Sequence, residues 1–159
     1  MEKTNPIKRN EAIAELSRDH HFALLLVWKI REGLKKAVKP ERIAEYIIYF
    51  FNTELLRHLK DEEKYLYDRV MSDNEMKIQA VAEREKIYAT LDFIQNNSAD
   101  ENILRNFAES LEKHIRFEER KFFDFFQRNA TEVDMSQAAV ALKNREHEDE
   151  DAWEDTFWK

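Results

Sequence analysis

Apolar residues return at helical spacing along most of this chain. Leu16, Leu24, Val27, Leu34 and Val38 share one side of a helix that turns about 100° per residue. Ile47, Phe51, Leu55 and Tyr65 repeat the pattern, as do Ala80, Ile87 and Leu91, and then Phe107, Leu111, Phe122 and Phe125. The pattern predicts four long amphipathic helices. Ser17 is a plausible N-cap for the first, with Asn10 as an earlier start, and Val38 marks its end. The second opens at Pro40, a residue suited to a first turn, and reaches about Val70. The third follows "SDNE", where Ser72 and Glu75 have capping-box spacing, and stops near "QNN". The fourth follows "SADE", where Ser98 and Glu101 repeat that spacing, and stops near Asn129. Short links between long helices favour antiparallel neighbours, so residues 1–130 are expected to form an all-α, up-down-up-down four-helix bundle. In residues 131–159, "MSQAAVALKN" predicts a short extra helix. The acidic tail after it carries Trp153, Phe157 and Trp158, and such rings are expected to pack on the bundle or on a partner.

Composition narrows the picture further. The chain has 159 residues but one glycine and two prolines, too few to punctuate a sheet protein. Net charge is −7 with both signs interspersed, which argues against nucleic acid as a partner. There is no cysteine, so thiol chemistry and cysteine-based zinc sites are excluded. The longest apolar run, Phe22 to Trp28, is far too short to span a bilayer. The opening "MEKTNPIKRN" lacks the apolar core of a signal peptide, so a cytoplasmic location is expected.

The chemistry lies in a repeated frame. "HLKDEE" starts at His58 and "HIRFEE" at His114, both reading His-x-x-x-Glu-Glu. His58 and Glu62, with Glu54, fall on the apolar side of the second helix. His114 and Glu118 fall on that of the fourth, and His20 on that of the first. A spacing of four puts a histidine and an acid on adjacent turns, roughly 6 Å apart. A lone pair of this kind is usually a buried hydrogen bond. Two copies on separate helices, plus His20, point instead to a metal, because buried carboxylates need a positive counterpart and imidazole and carboxylate are natural ligands. Glu63 and Glu119 lie farther round, as surface charges or supporting partners, and His147 sits in a solvated charge run. Ferritin-type Glu-x-x-His, the zinc-protease His-Glu-x-x-His and glycine-rich phosphate loops are all missing.

"LSRDHHFALLLVWKIREGL", "LLRHLKDEEKYLY" and "LEKHIRFEERKFF" together resemble the hemerythrin-like, HHE cation-binding family. The resemblance spans residues 17–129 and implies a helical bundle that holds two irons bridged by the carboxylates and binds dioxygen or handles iron and reactive oxygen or nitrogen species. It implies His20 as the first ligand, with His21 as the fallback, then His58 and Glu62, then His114 and Glu118. On the third helix family members read like "AEHExI", whereas this chain reads "AEREKI" and places Arg84 where a histidine is expected. Arginine stays protonated and ligates no metal. The five remaining ligands suit one ion with an open position; two irons would need water or Glu54 in addition. Arg84 would alternatively neutralise Glu62 or Glu118 as a buried ion pair.

Two functions from different classes follow. One is a metal centre, iron or another divalent cation, mono- or dinuclear, that binds or senses dioxygen or a related small ligand, or handles iron. The other is a helical interaction module that has lost its metal, with the aromatic tail as its docking element. Nothing in the chain marks a pocket for an organic substrate, so an enzyme is not the expected reading.

Overall fold

The computed structural model describes residues 10–145 and 152–159. Every regular element among them is helical. Helix α1 spans Glu11–Lys35, α2 Pro40–Phe50, α3 Leu56–Tyr65, α4 Glu75–Asn96, α5 Glu101–Phe117, α6 Phe123–Asn129 and α7 Glu132–Lys143. No helix among the described residues is long and apolar enough to cross a membrane.

Asn10, the earlier of the two expected starts, caps α1 by accepting from the Ala12 amide, while the starts of two other helices differ from the expected ones by two residues. Asn74, not Ser72, caps α4, and Asp100, not Ser98, caps α5. Asparagine and aspartate cap at least as well as serine, so the acceptor nearest the apolar run takes the position. Ser17 instead lies inside α1 and donates its hydroxyl to Glu119 Oε2 at 3.1 Å. Pro40 does open α2, and Thr131 caps α7, which begins before the predicted "MSQAAVALKN".

Two π-helical turns interrupt the long segments. One, Phe51–Leu55, joins α2 to α3; the other, Glu118–Phe122, joins α5 to α6. Each wide turn delays the inward face by about one residue. After the second turn Phe126 is buried and Phe125 only half-buried. After the first, Leu66 is buried and Tyr65 half-buried. An unbroken helix had placed Tyr65 and Phe125 inward.

The helices pack so that α5 lies against both α1 and α4, while α7 lies along α1. Their apolar faces form two separate clusters. One holds Leu26, Ile30, Ile47, Ile87, Leu91, Phe107 and Leu111. The other holds Ile13, Leu16, Leu66, Ala80, Phe122 and Phe126. Along each long helix a polar buried residue separates the two. His20 stands between Leu16 and Ala23, Arg84 between Ala80 and Ile87, Glu62 between Leu59 and Leu66, and Glu118 between Ile115 and Phe122.

The tail closes on the bundle itself. Trp153 packs on Tyr49 at 4.9 Å, and Trp158 covers the Lys29 ammonium at 4.0 Å. Arg42 grips Asp155 with two hydrogen bonds of 2.9 and 2.5 Å. Phe157 is buried over Gly33, where a Cβ would lie 2.8 Å from its ring. The one glycine of the chain is thus the place where a ring meets helix backbone.

Candidate metal centre

Three histidines reach the polar layer, and each is held the same way. His20 Nδ1 pairs with Glu119 Oε1, His58 Nδ1 with Asp19 Oδ2, and His114 Nδ1 with Glu83 Oε1, all at 2.9 Å. A carboxylate only accepts, so each Nδ1 is the donor and each Nε2 faces the interior. A carboxylate behind an inward imidazole fixes the ring's orientation and strengthens it as a ligand. The His20 ring is further pinned by stacking on Phe123, 5.2 Å away and tilted by 6°.

The Nε2 atoms converge on two carboxylates that are 0% exposed, Glu62 and Glu118. His20 Nε2 lies 3.0 Å from Glu118 Oε1 and 3.6 Å from Glu62 Oε2. His58 Nε2 lies 3.0 Å from Glu62 Oε1. His114 Nε2 stands farther off, 3.6 Å from Glu118 Oε1. Tyr67 donates its hydroxyl to the other Glu118 oxygen at 2.5 Å, so Glu118 turns Oε1 toward the histidines.

His20, His58, Glu62 and Glu118 offer one donor atom each within 4.8 Å of one another, a group that could hold one ion. The donor set fits a cation on a second ground. Both Glu62 oxygens, His114 Nε2 and Arg84 Nη1 are buried without a hydrogen-bond partner. His58 approaches Glu62 closely but off the line of a hydrogen bond. A fully buried carboxylate left this way carries a large desolvation cost that a bound cation removes.

Without an ion, protons take over that role. Burial pushes His58 down, but the Glu62 charge and the bond to Asp19 outweigh it and raise its pKa to about 9. His20 also rises well above its ordinary value: burial opposes this, and its bonds to Glu118 and Glu119, with the Glu62 carboxylate close by, override it. Burial pushes Glu62 up, yet the facing His58 and His20 hold it well below the usual carboxylate range. The layer is therefore a nest of opposite charges, and its histidine protons compete with a metal.

Arg84 is 6% exposed and sits at the α4 side of this layer. Its Nη2 donates to the Leu59 carbonyl, and Nη1 stays 3.9 Å from Glu62 Oε1. The backbone anchor keeps the guanidinium beside Glu62 without a close, two-pronged ion pair. Burial lowers its pKa, but the charges of Glu62 and Glu118 raise it overall, so it is a permanent cation.

His114, expected as a ligand, lies outside the group, as do the two remaining candidates, His21 and Glu54. His21 is exposed. Glu54 falls in the first π-helical turn and pairs with Arg57 at 3.2 Å. Glu119 is the partner of His20, whereas Glu63 is 62% exposed. His147 lies outside the described residues. Sequence reasoning missed Asp19, Glu83 and Tyr67. Asp19 and Glu83 each precede a candidate position, His20 and Arg84, but each serves a histidine of another helix. No spacing rule within one helix marks such a pairing.

Residues 11–126 match the hemerythrin HHE cation binding domain, and the chain belongs to that family. No curated protein and no solved structure matches it. The family is a cation-binding one, and the buried group of His20, His58, Glu62 and Glu118 could hold a cation.

Proposed function

We propose that this chain holds one iron ion through His20, His58, Glu62 and Glu118, with His114 beside it, and uses the centre to bind or sense dioxygen or a related small ligand. The observation that carries the reading is Glu62: fully buried, with neither oxygen hydrogen-bonded, and faced by two imidazoles whose outer nitrogens are already occupied. The donors are nitrogen and oxygen only, which suits iron among other divalent metals, and the family resemblance favours iron. Bound iron would supply a redox-active, electron-accepting centre for a small ligand. The protein orients the imidazoles, aims Glu118 through Tyr67, and excludes bulk water with the two apolar clusters.

One ion is favoured over two because the α4 side offers the guanidinium of Arg84 in place of a donor. That cation contributes positive charge beside Glu62 which a second ion would otherwise bring. Iron handling is an alternative use of the same centre. For the frame itself we read an up-down-up-down bundle. Contacts from Asn10 to Gln127, Ser17 to Glu119 and Arg31 to Glu112 run in opposite senses along α1 and α5–α6, which supports it.

The second reading, a metal-free interaction module, rests on Arg84 as internal counter-ion. Its docking element is weakened, since the three tail rings are spent on the bundle. Metal content by mass spectrometry, after aerobic purification with iron supplied, separates the two. We expect about one iron per chain, lost in His58→Ala with the helical content kept. Trace metal, together with a melting temperature indifferent to iron, leaves the module standing.

A further inference from the structure

Arg145 lies beyond the family-matched span, just after α7, yet its side chain is only 6% exposed. Its fork closes on Asp19, with Nη1 2.8 Å from Oδ2 and Nη2 donating to Oδ1 at 3.0 Å. Nη1 also donates to Asp61 Oδ2 at 3.2 Å, and Glu15 approaches Nη2 at 3.8 Å. Asp19 Oδ2 is the same oxygen that accepts from His58 Nδ1. The chain of contacts therefore runs Arg145, Asp19, His58, Glu62. It ties the end of α7 to α1 and α3, the helices that carry three of the four converging donors.

We propose that Arg145 is a positioning residue for the metal centre, fixing the Asp19 carboxylate that holds the His58 ring. The inference rests on the metal reading above. Asp19 sits near the surface on a side chain that can rotate. A guanidinium fork engages both of its oxygens in one plane and leaves it one orientation. With that grip gone, Asp19 turns toward water, the His58 ring loses its stop, and Nε2 is no longer aimed. The centre then extends past the segment that defines the family, and α7 is part of it rather than an appendage. A plain structural role, stapling α7 through Asp61, would give a different pattern of losses.

The test is Co²⁺ binding to the full chain, read by chelator competition and by the visible ligand-field spectrum. Arg145→Ala is expected to weaken Co²⁺ about tenfold, the low end for a partner outside the ligands themselves. Arg145→Lys, which keeps the charge but not the fork, should fall between wild type and Arg145→Ala while preserving the fold by circular dichroism. In an Asp19→Asn background the further loss from Arg145→Ala should shrink to under about twofold, because the two changes act through one contact. Wild-type affinity and spectrum in Arg145→Ala and Arg145→Lys would overturn the proposal. So would an equal loss in both backgrounds, which marks a general effect on α7. A wild-type chain that takes up no Co²⁺ sinks the metal reading itself and this inference with it.

Discussion

Tyr67→Phe is the sharpest perturbation the site allows, because it removes one oxygen atom and leaves the packing alone. The ring stacks on Phe122 with centroids 4.3 Å apart, and phenylalanine keeps that contact. What disappears is the donor to Glu118 Oε2, a 2.5 Å bond between two buried groups. Burial, then the nearby Glu118 and Glu62 charges, push the phenol well above its ordinary pKa, so it remains a donor at every working pH. A hydrogen bond to a buried charge contributes about 1.5–3 kcal/mol, and losing it leaves that carboxylate oxygen without its donor. The metal-free variant should therefore lose about 1.5–3 kcal/mol in urea unfolding, or roughly 3–12 °C in melting temperature for a chain of this size. The same bond turns Oε1 inward, so Co²⁺ affinity should drop about tenfold. A stability loss under about 0.5 kcal/mol with unchanged Co²⁺ affinity would refute the reasoning.

Three further outcomes are expected. Arg84→His replaces the α4 guanidinium by a ligand-competent ring and should raise the metal bound per chain; an unchanged ratio by mass spectrometry would show that residue 84 does not face the ion. Gly33→Ala puts a methyl group 2.8 Å from the Phe157 ring and 2.9 Å from Ile43. Overpacking of about 1–3 kcal/mol should exceed the helix-propensity gain, expelling the tail and shifting the tryptophan emission; unaltered emission and stability would mean that Phe157 does not sit there. In the metal-free protein, the raised pKa of His58 contributes stability in full below about 6.5, lost as pH rises through about 9. The loss is up to about 3 kcal/mol on a shift of that size. With metal bound the dependence should reverse, because the ion replaces the protons, and identical pH profiles with and without metal would contradict the account.

The inward acids and imidazoles could be located from the sequence because helical phase alone places His20, His58, Glu62, His114 and Glu118 on apolar faces. Phase failed where the helix itself changed. Two π-helical turns, marked by no glycine or proline, moved the inward position from Phe125 to Phe126 and from Tyr65 to Leu66. Helix starts slipped for a different reason, since several good capping residues lie side by side and only the folded backbone selects one. Two of the three outer carboxylates, Asp19 and Glu83, were invisible for a third. Asp19 serves His58 and Glu83 serves His114, each across a helix boundary, and such pairings exist only once the helices have packed. Arg84 was legible as a departure, but its anchor on the Leu59 carbonyl, which decides how near it comes to Glu62, was not.

The most direct test of the central claim is a crystal structure of iron-loaded protein with anomalous scattering recorded at the iron edge. The account predicts a single peak among His20 Nε2, His58 Nε2, Glu62 and Glu118, with Arg84 still on the Leu59 carbonyl. Two peaks would contradict the single-ion centre, and no peak, with Arg84 swung into a close pair with Glu62, would contradict the metal centre altogether.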